Sequence, residues 1–335
     1  MEIVTDLRAR RDGRPVAVIV GAFDSLHRGH QRLLVALVQA ARTRAAAATV
    51  ITFTPHPDVV LRGVSPLLLC DPAERDARFA ALGVDVLVRY PFNRDVAATP
   101  AEAFVEGLVG GGPVAALLMT RDSAFGRGRG GTLQSLPPVA ARFGFDLLEV
   151  PSVALGGARV SDSRLRDLVA AGRLATARTL LGRRFAVVGT VVHGDGRGRQ
   201  LGYPTANLAF DQPVVLPPDG IYTVRASWDG PDPLHPRRRA DGVASLGVRP
   251  TFGERTRLLE AHLFDVSPDL YGRRLRVEFV RRQRGERRFA SVAALVEQMD
   301  LDAARARRIL AGDRTAPVAR VRPARTPVLD SPGHS

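Results

Sequence analysis

The chain has 335 residues, 45% of them hydrophobic and 24% charged, a composition that fits two globular domains and excludes a disordered polypeptide. No apolar run approaches the ~20 residues that span a bilayer, and the single cysteine, Cys70, excludes an internal disulfide and any cysteine-cluster metal site. The formal charge of +14 comes from 48 basic residues, all arginine. Such a charge fits solvated surface arginines of the kind enriched, with alanine, by GC-rich coding. It also fits an anionic substrate. Nucleic acid ranks third, because aromatics make up only 6% and no binding motif interleaves them with the arginines. The expectation is therefore a protein with neither a nucleic-acid nor a membrane partner. The acidic start, with Glu2 and Asp6, lacks the features of a secretory signal and points to the cytoplasm.

In chain order, Val16 to Val20 is a continuous β-rich run, as a strand buried on both faces requires. Leu33, Leu34, Leu37, Val38 and Ala41 then recur at helical spacing. Residues 50–53, 84–88 and 115–119 are further strand candidates. Between the last two, Thr99-Pro100-Ala101-Glu102 predicts a helix start with Thr99 as cap and Glu102 completing a capping box. Alternating strands and helices predict a parallel, doubly wound sheet. From Phe185 onward the rhythm changes. Strand-like runs at 185–192, 221–227, 242–246, 258–264 and 275–281 follow one another with turns between, predicting an antiparallel barrel or sandwich. A helical stripe through Val292, Leu295, Val296 and Met299 continues to Leu310. The proline- and arginine-rich tail beyond Gly312 predicts disorder.

Gly21-Ala22-Phe23-Asp24-Ser25-Leu26-His27-Arg28-Gly29-His30 directly follows the first strand. Free backbone N–H groups and the helix dipole at such a junction favour phosphate. His27 and His30, three apart, share a face of the first helical turn. Their imidazoles could donate hydrogen bonds as charge grows on a departing pyrophosphate, and Gly29 removes a side chain that would block approach. The segment resembles the GxFDGxHxGH signature of the nucleotidylyltransferase superfamily, specifically the adenylyltransferase module of prokaryotic bifunctional FAD synthetases. The resemblance implies ATP binding at Gly21, Phe23, Asp24 and Gly29. It extends to Val160-Ser161-Asp162-Ser163-Arg164-Leu165-Arg166, which resembles the family's phosphate-holding ISSTxxR motif and implies that role for Ser161, Ser163, Arg164 and Arg166. The segment Met119 to Gly126 resembles VGxDFxFG, implying flavin contacts at Asp122 and Phe125. Four positions depart from these patterns. Ser25 and Thr120 replace glycines, Ser123 replaces a phenylalanine, and Asp162 brings a charge where the family has a small hydroxyl residue. The glycine- and arginine-rich stretch 126–131 reads equally as a phosphate-covering loop or a plain linker.

In the second half, Gly194 to Asn207 alternates glycine with arginine and ends in Gly202-Tyr203-Pro204-Thr205-Ala206-Asn207. Glycines let the backbone approach phosphate closely, and Arg197 and Arg199 can balance its charge. Thr205 and Asn207 offer neutral oxygens suited to Mg²⁺ held with nucleotide phosphates. The string resembles the riboflavin kinase signature GRGxxLGxPTAN. That implies nucleotide binding by Gly196, Arg197, Gly198, Arg199, Gly202 and Pro204, and metal ligation by Thr205 and Asn207. Residues 242–253 resemble GxxNxGxxPTF with Ser245 in place of asparagine, and Leu270-Tyr271-Gly272 resembles an LYG turn. Leu259-Glu260-Ala261-His262 resembles the strand whose glutamate is the catalytic base, which implies that role for Glu260.

The resemblance implies a Rossmann-like nucleotidylyltransferase domain over residues 1–182, an antiparallel β-barrel riboflavin kinase domain over 183–312 and a tail over 313–335. The implied substrates are ATP, riboflavin and FMN, with Mg²⁺ as cofactor. A monofunctional riboflavin kinase with a decayed or repurposed first domain is the alternative, motivated by Thr120, Ser123 and Asp162.

Overall fold

The N-terminal sheet grows outward from its most apolar segment. Its strands are β1 (Glu2–Val4), β2 (Val16–Val20), β3 (Ala47–Thr54), β4 (Val86–Pro91), β5 (Val114–Met119) and β6 (Asp146–Glu149). All are parallel, in the order β1-β4-β3-β2-β5-β6. The computed structural model describes residues 1–10, 13–194, 196–251 and 254–313, with backbone alone at Arg197, 249–251 and 254–256. The expected disorder beyond Asp313 lies outside the described residues. Val16 to Ile19 are completely buried, as the unbroken run of β2 predicts. The chain passes from β2 to β3 on one side and later to β5 on the other. The strand order therefore reverses between β2 and β5, where open α/β sheets hold ligands at the strands' carboxyl ends.

Helices cover both faces. α1 (Arg28–Thr43) buries the predicted stripe of Leu33, Leu34, Leu37, Val38 and Ala41, and α2 (Pro57–Arg62) and α3 (Pro72–Ala81) follow β3. α4 (Arg94–Ala98), α5 (Ala101–Val109) and α6 (Pro137–Phe143) complete the layers, α5 and α6 packing opposite α1. The predicted capping box at Thr99 does not form. Thr99 instead terminates α4, its hydroxyl donating to the Asp95 carbonyl (2.9 Å), and Glu102 pairs with Arg142. A short helix that the sequence reading overlooked claims the threonine first.

A hairpin of β7 (Ala154–Leu155) and β8 (Ala158–Arg159) leads to α7 (Asp162–Ala170) and α8 (Leu174–Leu181). Then come β9 (Ala186–Val192), α9 (Arg197–Gln200), β10 (Ala206–Ala209), β11 (Gly220–Trp228), β12 (Arg238–Thr251), β13 (Glu254–Leu263) and β14 (Arg274–Arg284). The six strands close an antiparallel barrel in the order β10-β13-β12-β11-β14-β9, and α10 (Val292–Gly312) packs outside it. Leu165, Val169, Ala177, Leu180 and Leu181 join the barrel's apolar cluster with Phe185, Tyr222 and Phe279, so α7 and α8 belong by packing to the barrel.

Sheet and barrel are tied by charge as well as by apolar contact. Glu74 of α3 is almost completely buried and accepts from Arg276 of β14 (3.0 Å) and from Arg78 (2.5 Å). Burial alone would raise its pKa, yet Arg276, Arg78 and Arg183 hold it down to about 2. Beside it, Leu68 pairs with Val214 in a parallel bridge.

Candidate functional sites

The loop from Gly21 to His27 leaves the carboxyl end of β2, at the reversal point of the sheet. Phe23 (φ 53°) and Leu26 (φ 47°) both adopt left-handed backbone, which ordinary side chains avoid. His27 caps α1, its Nδ1 accepting from the His30 N–H (3.1 Å). In the neutral ring this leaves the proton on Nε2. The two imidazoles stack with centroids 3.6 Å apart. Burial pushes the His27 pKa down to about 3, aided by His30, and burial lowers His30 as well, so both rings are neutral near pH 7. A Cβ on Gly29 would lie 3.0 Å from the His27 ring, which accounts for the glycine. The Phe23 ring is buried with its edge toward His30 (5.1 Å), so that side chain supports the histidine.

Asp24 is buried, accepts from the Leu69 N–H (3.2 Å) and pairs with Arg166 (2.6 Å), whose Nε also donates to the Leu67 carbonyl (2.8 Å). Burial and the nearby Asp162 push the Asp24 pKa up to about 6 against the pull of Arg166. Ser161 caps α7 by accepting from the Arg164 N–H (3.3 Å), and Ser163 is exposed. Arg164 donates to the carbonyls of Ala158 (2.9 Å) and Arg159 (3.1 Å), clamping the β7–β8 hairpin.

The four departures in the N-terminal motifs form two pairs. Ser25 donates to Asp162 through its hydroxyl and through its N–H (3.3 Å). The Asp162 carboxylate and the ring nitrogens of His27 and His30 lie within 4.8 Å of one another. At the end of β5, the Thr120 N–H (3.1 Å) and hydroxyl (2.9 Å) both meet the Ser123 hydroxyl. The first pair is hidden in the sequence, because its partners stand 137 positions apart. Asp122 is tied to Arg159 (3.0 Å) and Ser152 (3.3 Å). Phe125 packs against Phe104 (5.4 Å) in the core under the sheet, so its ring is not presented to the crevice.

In the barrel, three of the residues named from the sequence line one cavity. A cavity of about 590 Å³ is lined by Gly198, Thr205 and Glu260, with Ser245 and His262 on the same wall and Leu295, Met299 and Asp302 of α10 opposite. Asn207 pairs across the sheet with Glu260, which pairs in turn with Ser245. Asn207 is buried, and among the described residues its Oδ1 has no hydrogen-bond partner. A buried, neutral amide oxygen on a strand that starts directly after Thr205 is a donor of the kind a hard divalent cation takes, so the oxygens of Thr205 and Asn207 suit Mg²⁺ in chemical type. Gly194 and Gly198 are both sterically required. A Cβ on the first would run into the Asn207 amide, and one on the second into the Tyr203 carbonyl oxygen. Gly196 (φ 69°) and Gly202 (φ 82°) bracket α9 in left-handed backbone, and Arg199 is exposed. The Arg197 side chain and residues 252–253 of the PTF segment lie outside the described residues.

Several cavity residues went unassigned in the sequence. His262 holds the Pro204 carbonyl through Nδ1 (2.8 Å) and thereby fixes the turn before Thr205. Its place two residues after Glu260, on the same face of a strand, was the available signal. Arg284 makes a bidentate pair with Asp302 (2.6 and 2.9 Å), fastening α10 over the cavity. A wider concavity of about 840 Å³ beside Arg225 and Arg276 contains none of the nominated residues.

A strand-to-helix histidine pair at the reversal of a parallel sheet, and a strand carboxylate in the cavity of a closed barrel, fit a two-domain nucleotide-dependent transferase. Residues 9–164 match the FAD synthetase family and residues 181–310 the riboflavin kinase family. The bifunctional riboflavin kinase/FMN adenylyltransferase of Escherichia coli K12 is 37% identical over 290 residues, covering 86% of this chain and 90% of that one. The protein of the same name from Pseudomonas fluorescens is 36% identical over 314 residues, covering 93% and 98%. A solved Streptococcus pneumoniae structure described as a macrolide-efflux protein is 29% identical with a TM-score of 0.79, covering 90% and 96%. Among the described residues of the present chain, no helix is long and apolar enough to cross a membrane. The chain belongs to the bifunctional riboflavin kinase/FMN adenylyltransferase family.

Proposed function

We infer that the chain makes FMN from riboflavin at the barrel cavity and FAD from FMN at the crevice of the parallel sheet, using ATP in both steps. The observation that carries the barrel assignment is the convergence of Gly198, Thr205 and Glu260 on one cavity, with the unsatisfied Asn207 oxygen on the strand beside Glu260. Glu260 takes the proton from the ribityl 5′-hydroxyl as that oxygen bonds to the γ-phosphorus and the bond to the β–γ bridging oxygen breaks. The glycines at 196, 198 and 202 let backbone N–H groups approach the phosphates, and Thr205 and Asn207 would hold Mg²⁺. When bound, the cation neutralises charge on the β- and γ-phosphates.

In the N-terminal crevice, an FMN phosphate oxygen attacks the α-phosphorus of ATP and pyrophosphate leaves. His27, through its Nε2–H, and His30 donate hydrogen bonds where that charge develops. Asp24 holds Arg166 in place beside them. The paired arrangement of Ser25 with Asp162, and of Thr120 with Ser123, supports an adapted site over a decayed one, since each unusual side chain has found a partner. Incubation with riboflavin, ATP and Mg²⁺, followed by chromatographic separation, should give FMN and then FAD. Accumulation of FMN without FAD at millimolar FMN and ATP would establish the monofunctional alternative.

A further inference from the structure

The histidine loop is strained at two places, and the residues that hold it are not all in its own domain. Leu26 is buried with φ 47°, and the peptide units on either side of it present the carbonyls of Ser25 and Leu26. Arg183 donates to both, through Nη2 to Ser25 (2.7 Å) and through Nη1 to Leu26 (3.3 Å). Gln31 completes the clamp, its Nε2 donating to the Leu26 carbonyl (2.8 Å) and to the Leu181 carbonyl (2.9 Å) at the end of α8. Gly182, in left-handed backbone (φ 71°), lets this junction press against α1, since a Cβ there would lie 3.2 Å from the Arg28 side chain. Arg183 directs its guanidinium at backbone oxygens and at Glu74 (3.9 Å), which also binds Arg276 of the barrel.

Arg183 falls within the segment that matches riboflavin kinase, yet its hydrogen bonds reach the loop of the other site. Two left-handed non-glycine residues persist only where their surroundings over-determine them. The carbonyls of residues 25 and 26 belong to the peptides that immediately precede the capping His27. Fixing them fixes the direction in which the stacked imidazoles face. We propose that Arg183 is a positioning residue for adenylyl transfer, so that the barrel domain completes the nucleotide site of the sheet domain. The proposal rests on the reading that His27 and His30 hold the nucleotide.

The test uses the full chain with Arg183→Met, which keeps the stem and removes the donors, and Arg183→Lys, which keeps one cationic donor group. Glu74 retains Arg78 and Arg276 in both variants, so its buried charge stays compensated. FMN formation from riboflavin and FAD formation from FMN are measured separately, the second across ATP concentrations, with His30→Ala in parallel. A misplaced loop is expected to lower kcat/KM for ATP in FAD formation roughly ten- to a hundredfold in Arg183→Met. FMN formation should stay within about twofold of wild type, since Arg183 touches nothing in the kinase cavity. Arg183→Lys should recover part of the loss, because an ammonium can still serve one carbonyl. FAD formation unchanged in Arg183→Met while His30→Ala abolishes it would overturn the proposal alone. Parallel loss of both activities would overturn it too, by showing that Arg183 holds the fold and not the loop. FAD formation surviving His30→Ala would remove the nucleotide-site reading and the proposal with it.

Discussion

Replacing Asn207 by leucine separates a residue kept for metal from one kept for structure. Asn207 sits in β10 opposite Glu260, buried, with its Oδ1 unsatisfied. A buried acceptor without a partner costs about 1–3 kcal/mol. Leucine has a similar shape and no polar atom, so metal-free Asn207→Leu should be as stable as wild type or more stable, by up to about that amount. Adding Mg²⁺ with ADP should then raise the unfolding midpoint of wild type, which gains a ligand it binds only when folded, and raise that of the variant much less. Riboflavin phosphorylation should fall by at least about tenfold, as expected for a lost metal ligand. Denaturant unfolding with and without Mg²⁺–ADP, beside a kinase assay, reads both effects. A variant less stable than wild type without metal, yet phosphorylating riboflavin at the wild-type rate, would refute the reasoning and make Asn207 a structural amide.

Glu260→Gln should lower FMN formation by roughly 10²–10⁴, the usual contribution of a general base, with FAD formation from supplied FMN unchanged in the same preparation. Asp24, its pKa pushed up to about 6, contributes stability that is complete below the ordinary value of 3.8 and lost as pH rises through 6. Unfolding of wild type against Asp24→Asn should therefore show wild type losing ground between about pH 4 and 6.5, by about 3 kcal/mol in all. A constant difference across that range would contradict the assignment.

Much of this architecture is legible in the chain because its signals are local. The unbroken apolar run of β2, the stripe of α1 and the regular strand rhythm after Phe185 depend on residues a few positions apart, and the structure follows them. What escaped detection was short or distant. β1 has three residues and takes its place only by pairing with β4, some eighty positions away, so no periodicity could reveal it. β10 is four residues long and follows Pro204, and its sequence reads as the end of a loop. Motif resemblance singles out His27, His30, Thr205, Asn207 and Glu260, whereas the contacts around them come from the tertiary fold. The Ser25–Asp162 hydrogen bond and the grip of Arg183 on the histidine loop link segments more than 130 positions apart. Side-chain burial was equally hidden. Phe23 and Phe125 stand inside motifs whose resemblance implies ligand contact, yet both rings lie in the core.

The central claim is that two chemically independent sites act in series on one chain. Complementation tests it most directly, with Glu260→Gln and His30→Ala supplied with riboflavin, ATP and Mg²⁺, separately and mixed, and the flavins resolved by chromatography. Alone, Glu260→Gln should leave riboflavin largely unconverted and His30→Ala should stop at FMN, while the mixture should produce FAD. FAD made from riboflavin by either variant alone at the wild-type rate, or no FAD from the mixture, would contradict the account.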